Sequence, residues 1–143
     1  MPTNSLFRLT FPDGWKETTV HTFEGPLDGG VQHNLVLSIL PELDKKVTLA
    51  EFARGQLSLS AKALPAFEML SEADRAAPSG RALRVAVYKY TPADQVTYYQ
   101  KQYFIIDSGR GYVFTSTFSK ATLSTIADEV DKIVDSLTPV EPQ

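Results

Sequence analysis

Short stretches in which apolar and polar residues alternate make up most of the chain, and this period of two is typical of β-strands. Phe7, Leu9 and Phe11 alternate in the first such stretch, which ends at a Pro-Asp-Gly turn. We expect Trp15, directly after that turn, to close one end of the core. The pattern predicts strands over residues 6–11, 18–24, 34–40, 67–76 and 81–91, and a loop over residues 25–30.

A long hairpin over residues 94–119 is the strongest strand signal, with a turn over residues 107–111. Its first strand has an unusual face. Because side chains on a strand alternate between two faces, Tyr98, Gln100 and Gln102 share one face with Phe104 and Ile106. Amides in a row with aromatic and aliphatic residues indicate a surface that is half core and half binding site.

Two segments show the period of an amphipathic helix. The first begins at Thr48, which forms a capping box with Glu51, and ends before Pro65. Val47 and Phe52 are placed to form the accompanying hydrophobic staple. The second is predicted as one continuous helix over residues 122–137, with an apolar stripe and an acidic, solvated face.

The resulting order is β-β-β-α-β-β-β-β-α, which predicts the α+β class. Consecutive strands joined by short turns pair antiparallel. We expect one domain over residues 1–143, built as a curved antiparallel sheet of about six to seven strands with two main helices. The residue pattern alone allows both helices to cover the same face of the sheet.

Composition removes several classes of function. The chain has 143 residues, of which 43% are hydrophobic and 22% charged, and its formal net charge is −3. Nucleic acids and anionic membranes bind basic patches, so neither is the expected partner. There is no cysteine, no signal-like start and no apolar run long enough to span a membrane. We therefore expect a cytoplasmic protein without direct membrane insertion.

Candidate chemistry is sparse, and the sequence predicts no enzyme, no catalytic residue, no metal and no cofactor. His21 and His33 lie on or before strands without an acidic motif beside them, so we interpret them as ordinary strand or loop residues. Asp128, Glu129 and Asp131 belong to the solvated face of the second helix. Gly29 and Gly30 precede a strand, and Gly109 and Gly111 belong to a hairpin turn, whereas a phosphate-binding loop precedes a helix.

Four polar residues remain unexplained by packing alone: Gln56 and Ser60 on the first helix, and Gln100 and Gln102 on the hairpin. They are either ordinary surface residues or hydrogen-bonding groups placed in an apolar groove. A groove of that kind would receive an apolar helix, and its amides would bind polar groups of the guest.

The order and spacing of several segments resemble those of the DcrB-like proteins, which have the PsbP-like fold. The segments are FPDGW, FARGQLSLSAKALPAF, TYYQKQYFIIDSGRGYVFTSTF and the closing amphipathic helix. The resemblance spans nearly the whole chain and implies an α/β/α sandwich. Within that family, a short chain without a signal or lipobox is similar to the Eag chaperones of type VI secretion. These are homodimers that shield the N-terminal transmembrane helices of Rhs or PAAR effectors before loading.

The resemblance also implies a set of binding residues. The family's helix glutamine corresponds to Gln56 in RGQL, and its strand glutamine corresponds to Gln102 in KQYFI. The remaining groove positions implied by the family are Val20, Thr22, Val36, Ser60, Leu64, Tyr98 and Gln100. Thr22, Ser60 and Gln100 depart from a purely apolar groove. The alternative is a non-catalytic PsbP-like module that binds another protein or a lipid.

Overall fold

Six strands of the described residues form one antiparallel sheet, and the long hairpin lies near its middle. The computed structural model describes residues 9–15, 20–28 and 31–139. The strands follow the order β1-β2-β6-β5-β4-β3 across the sheet. Their bounds are Val20–Asp28 (β1), Val31–Leu40 (β2), Glu68–Ala76 (β3), Ala82–Tyr90 (β4), Tyr98–Asp107 (β5) and Arg110–Phe118 (β6). The helices are Leu49–Ala63 (α1), Lys120–Leu123 (α2) and Ala127–Asp135 (α3).

The hairpin turn between β5 and β6 is tighter than the sequence predicts. Asp107 pairs with Arg110, so the loop contains only two residues. Ser108 has φ 51° and Gly109 has φ 76°. A two-residue loop with both φ angles positive is the type I′ turn, whose twist matches that of the strands it joins.

Helix α1 begins where its cap predicts. The Thr48 hydroxyl accepts a hydrogen bond from the Glu51 backbone N–H, and the Glu51 carboxylate accepts one from the Thr48 N–H, both at 3.1 Å. These two bonds satisfy donors that the first helical turn leaves without partners. Val47 and Phe52 belong to the same apolar layer, as the predicted staple requires.

The helices lie on opposite faces of the sheet, so the arrangement is an α/β/α sandwich, and the alternative with both helices on one face is wrong. The even-numbered residues of β5 face α1, because Phe104 and Ile106 pack with Phe52 and Leu57. The odd-numbered residues Tyr103 and Ile105 pack instead with residues of α3, including Val130 and Val134. Each face of the central strands is therefore apolar, for a different helix.

The N-terminal part differs from the sequence prediction. Residues 6–8 of the first predicted strand lie outside the described residues, and residues 9–11 form no strand. Trp15 stacks on Phe11 with ring centroids 5.5 Å apart and is 68% exposed, so it does not close the core. The predicted loop at residues 25–28 is the second half of β1, which continues past Gly25-Pro26 through an irregularity between Glu24 and Leu27.

The predicted second helix is two helices. It starts earlier than expected, at the Ser119 cap, which exchanges hydrogen bonds with Thr122. Ser124 and Thr125 then interrupt it, because their hydroxyls donate to the carbonyl oxygens three residues back, at 2.8 and 3.2 Å. Side chains that bond their own backbone in this way compete with helical hydrogen bonding.

Gly111 of β6 gives a test of how closely α1 packs on the sheet. A Cβ atom at Gly111 would lie 2.6 Å from Cζ of Phe52 and 2.9 Å from Cδ1 of Leu43. We expect Gly111→Ala to lower the free energy of unfolding by about 1–3 kcal/mol, as overpacking of a core does.

The matched control is Gly55→Ala on the exposed side of α1, where an added Cβ meets nothing within 4 Å. It should raise the free energy of unfolding by about 0.5–1 kcal/mol, because alanine favours the helix. Urea denaturation of both variants measures these changes. Equal stabilities for the two variants would show that α1 does not press on β6 at Gly111.

Candidate functional site

The side of the sheet that faces α1 is only partly covered. Along β2 and β6 the residues that face α3 are buried, namely Leu35, Leu37, Phe114, Ser116 and Phe118. Of their neighbours on the α1 side, Val113 is buried beneath α1, whereas Val36, Ser38, Thr115 and Thr117 are half-buried, and the α1-side residues Val20 and Thr22 of the edge strand β1 are exposed. We call these half-buried and exposed residues the open face, and they are Val20, Thr22, Val36, Ser38, Thr115 and Thr117.

Strand register brings several predicted site residues into rows on this surface. Thr22 pairs with Val36, Val36 with Thr115, and Thr115 with Gln102. This row crosses four strands from the edge to the middle of the sheet. The next row in one direction joins Val20, Ser38, Val113 and Phe104, where the last two lie under α1.

Gln102 is the most buried of the predicted amides, with 8% of its surface exposed. Its Nε2 donates a hydrogen bond to the Thr115 hydroxyl at 3.1 Å. Its buried Oε1 has no hydrogen-bond partner among the described residues. A buried acceptor without a partner costs about 1–3 kcal/mol, so a donor that reached this oxygen would gain an interaction the free protein lacks.

Gln100 is held differently, because both of its amide groups are already used. Its Oε1 accepts from the Tyr88 hydroxyl at 2.5 Å, and its Nε2 donates to the Thr117 hydroxyl at 3.1 Å. The Tyr88 hydroxyl also faces Ser60 of α1. Burial raises the pKa of Tyr88 to about 12, against the opposing effect of its hydrogen bond with Ser60. Tyr88 therefore holds the Gln100 amide close to Ser60 of α1 and stays protonated near neutral pH.

Helix α1 runs along the edge of the open face. Its Phe52 packs against Gly111 near one end of the strands, and Ser60 meets Tyr88 two turns later. Gln56 lies midway between them on the same stripe and is half-buried. Leu64, the C-cap, packs into the apolar layer beneath α1.

The structure thus places the nine predicted residues on one side of the sheet. Six come from the strands (Val20, Thr22, Val36, Tyr98, Gln100, Gln102), two come from α1 (Gln56, Ser60), and Leu64 is the C-cap of α1. Leu64 belongs mainly to the core, and Gln100 holds other side chains. The contacts of all nine residues with a guest remain predictions.

Four residues of the site were missed: Ser38, Tyr88, Thr115 and Thr117. The alternation along β6 carried a signal, because Thr115 and Thr117 fall between Phe114 and Phe118 with period two. Ser116 masks it. This serine faces the other side, where its buried hydroxyl donates to the Asn34 carbonyl oxygen at 2.9 Å.

Polar residues on the α3 side serve to attach the helix. Asp131 accepts a hydrogen bond from the Tyr103 hydroxyl and lies 2.8 Å from Nζ of Lys101. Burial and the bond to Asp131 both raise the pKa of Tyr103, which keeps its hydroxyl a donor. Arg75 pairs with Asp135 at 3.0 Å in the same way. These interactions explain Lys101 in the middle of β5 without a binding role.

Neither histidine belongs to a recognisable reactive cluster. His33 is buried, with its ring centroid 6.0 Å from that of Phe118, whereas His21 is half-exposed on β1. Within the described ranges, no group of three or more His, Cys, Asp or Glu residues could hold a metal ion. No helix in the same ranges is long and apolar enough to cross a membrane.

The sequence matches the family model named DcrB over residues 8–136. The chain belongs to the DcrB family. No curated protein sequence matches it.

Solved structures show that the fold is PsbP-like. A protein of unknown function from Pseudomonas aeruginosa, PA94, described as a candidate regulator, is 21% identical with a TM-score of 0.74, covering 95% of this chain and 96% of that one. CyanoP, the PsbP of Synechocystis sp. PCC 6803, is 14% identical with a TM-score of 0.57, covering 90% and 96%. LpqN of Mycobacterium tuberculosis, involved in cell envelope biogenesis, is 21% identical with a TM-score of 0.52, covering 82% and 68%.

The Thr115 hydroxyl gives a test of the Gln102 geometry. We expect Thr115→Val to lower the free energy of unfolding by about 1–3 kcal/mol, because the buried amide then loses its one described partner. Thr115→Ser keeps the hydroxyl and should lose less. Urea denaturation compares the two variants, and a valine variant as stable as the serine variant would show that the hydroxyl does not hold the amide.

Proposed function

We propose that the protein is a non-catalytic binding module whose open face holds apolar helices of a partner protein. The observation that carries this proposal is the alternation along β2 and β6, where one side is buried and the other stays half-open although its residues are apolar or carry hydroxyls, with the charge of Glu24 only at one end. A surface of this composition gains free energy by covering itself with apolar area, at about 25 cal/mol per Å².

The dimensions favour a helix as the occupant. Strands β1, β2 and β6 lie about 4.8 Å apart, so the open face is roughly 10 Å across between its outer strands. An α-helix with its side chains has a diameter of about 10–12 Å. Hydroxyls and amides beside apolar groups also suit transmembrane helices, whose contact surfaces are rich in small and polar residues.

More specifically, we propose that the guest is the N-terminal transmembrane region of a type VI secretion effector of the Rhs or PAAR type. The protein would shield these helices in the cytoplasm until loading. Membership of the DcrB family supports this role together with the positions of Gln56 and Gln102 beside the open face. A homodimer belongs to the same proposal, because one open face accommodates one helix and a pair of guest helices needs two.

A matched pair of exposed apolar residues tests the proposal. Val20, on β1, is 52% exposed and belongs to the open face, whereas Leu70, on β3 at the opposite edge of the sheet, is 45% exposed. Each variant is co-expressed with the N-terminal segment of a candidate effector, and the recovered soluble segment is measured. We expect Val20→Asp to reduce recovery several-fold, because burying an unpaired carboxylate against an apolar helix is costly.

Leu70→Asp is the control for charge and solubility and should leave recovery unchanged. Equal recovery with both variants would contradict helix binding at the open face. The same pair of variants would then be used to measure binding of the alternative ligands, a lipid or another protein.

A further inference from the structure

Carboxylates mark one end of the open face. Glu24 lies on β1 opposite Asn34, beyond the row of Thr22 and Val36, on the same side of the sheet. Asp94 lies in the connection between β4 and β5, before Tyr98. Because β1 and β4 run in the same direction across this sheet, Glu24 and Asp94 are both near its end that carries Gln100 and Tyr98. Within the described part of the chain neither carboxylate forms an ion pair.

Asp94 is held in place beside two stacked tyrosine rings. Its Oδ1 accepts from the Val96 N–H at 2.9 Å, and its Oδ2 accepts from the Tyr98 hydroxyl at 3.2 Å. The Tyr98 ring stacks on the Tyr90 ring with centroids 5.7 Å apart. Strand alternation places both tyrosines on the α1 side, two residues from Tyr88 and Gln100. The pKa of Tyr98 is raised first by the negative charge of Asp94.

The C-terminal end of α1 also lies at this corner, and its last turn carries one basic residue, Lys62. The Thr91 N–H donates to the Pro65 carbonyl oxygen at 3.0 Å, which fixes the end of β4 against the segment that leaves α1. The last carbonyl groups of a helix form the negative end of its dipole, and a cation is favoured there. A basic residue, Lys120, follows β6 at the same end of the sheet. It begins α2, however, and Leu123 of α2 packs on the opposite face of the sheet.

We propose that this end of the open face binds a basic side chain, lysine or arginine, which flanks the apolar helix of the guest. The ring faces of Tyr90 and Tyr98 attract a cation, and the Asp94 carboxylate still has lone pairs to accept its N–H groups. Basic residues commonly flank transmembrane helices. The guest helix is therefore oriented in the groove, with its basic end at Asp94. This inference rests on the proposed function.

Synthetic peptides provide the probe. All share an apolar helical core of about 20 residues built from leucine, alanine and serine, and they carry a pair of lysines at the amino end, a pair at the carboxyl end, or glutamates at both ends. Binding to the full-length protein is measured by fluorescence anisotropy in a mild detergent. Of the two lysine peptides, we expect the one with the higher affinity to bind about five- to tenfold more tightly than the glutamate peptide.

Asp94→Lys should abolish or reverse that preference, and Tyr98→Ala should reduce it. Asp128→Lys makes the same change in net charge on α3, at an exposed position, and should leave the preference intact. High salt should weaken the preference without removing binding.

The outcomes separate the two proposals. If all peptides bind equally and Asp94→Lys changes nothing, the basic-end site is refuted while helix binding stands. If no peptide binds, both are refuted. A preference that Asp128→Lys removes as fully as Asp94→Lys reflects overall charge alone and also refutes the site.

Discussion

One helix about 10 Å wide has to cover one face of a sheet whose six strands span about 24 Å. The remaining features of the site follow from this mismatch. Helix α1 packs over β4 and β5 and touches β6 at Gly111, where the absence of a Cβ lets Phe52 approach. No other helix of the described residues covers the strands on either side of α1. The opposite face of the sheet is covered more completely, because α2 and α3 pack there on large aromatic residues.

The two uncovered margins of this face, one at β3 and one at β1, differ in the side chains that they carry. On the β3 side, Arg84 pairs with Glu72 at 2.6 Å and with Asp74 at 2.8 Å, so this margin carries charged side chains that favour contact with solvent. On the β1 side, the margin carries valines and hydroxyls, and beside it lies a buried amide oxygen without a described partner. Met69 and Leu70 of β3 are also exposed, but the ion pairs of Arg84 make the β3 margin less suited to an apolar guest than the β1 margin. This difference is the reason we propose the binding site between α1 and β1.

The sequence was sufficient for most of the length of β2 to β6, the α1 cap and the face that each β5 residue occupies, because these depend on local alternation and on a single capping box. It was wrong for residues 9–11, which form no strand, and for the second half of β1. It was insufficient where long-range packing decides. Which face each helix covers depends on the match between whole layers, and strand periodicity does not contain that information. The division of the last helix depends on hydroxyls of Ser124 and Thr125 that bond backward, although the apolar stripe continues past them.

The candidate site shows the same limit. The mixed face of β5 identified Gln100 and Gln102 as unusual, but only the structure separates their roles, since Gln100 is bonded at both ends and Gln102 at one. The partners that make this difference, Tyr88, Thr115 and Thr117, come from neighbouring strands. Register determines those pairings, and register is set by the fold as a whole.

Site-specific photo-crosslinking from two adjacent residues tests the central claim most directly. Thr22 and Phe23 are both exposed on β1 and point to opposite faces of the sheet. With a photoreactive side chain at each position in turn and an apolar-helix partner present, the account predicts a strong crosslink from position 22 and little from position 23. A stronger crosslink from position 23, or equal crosslinks from both, would contradict binding at the open face.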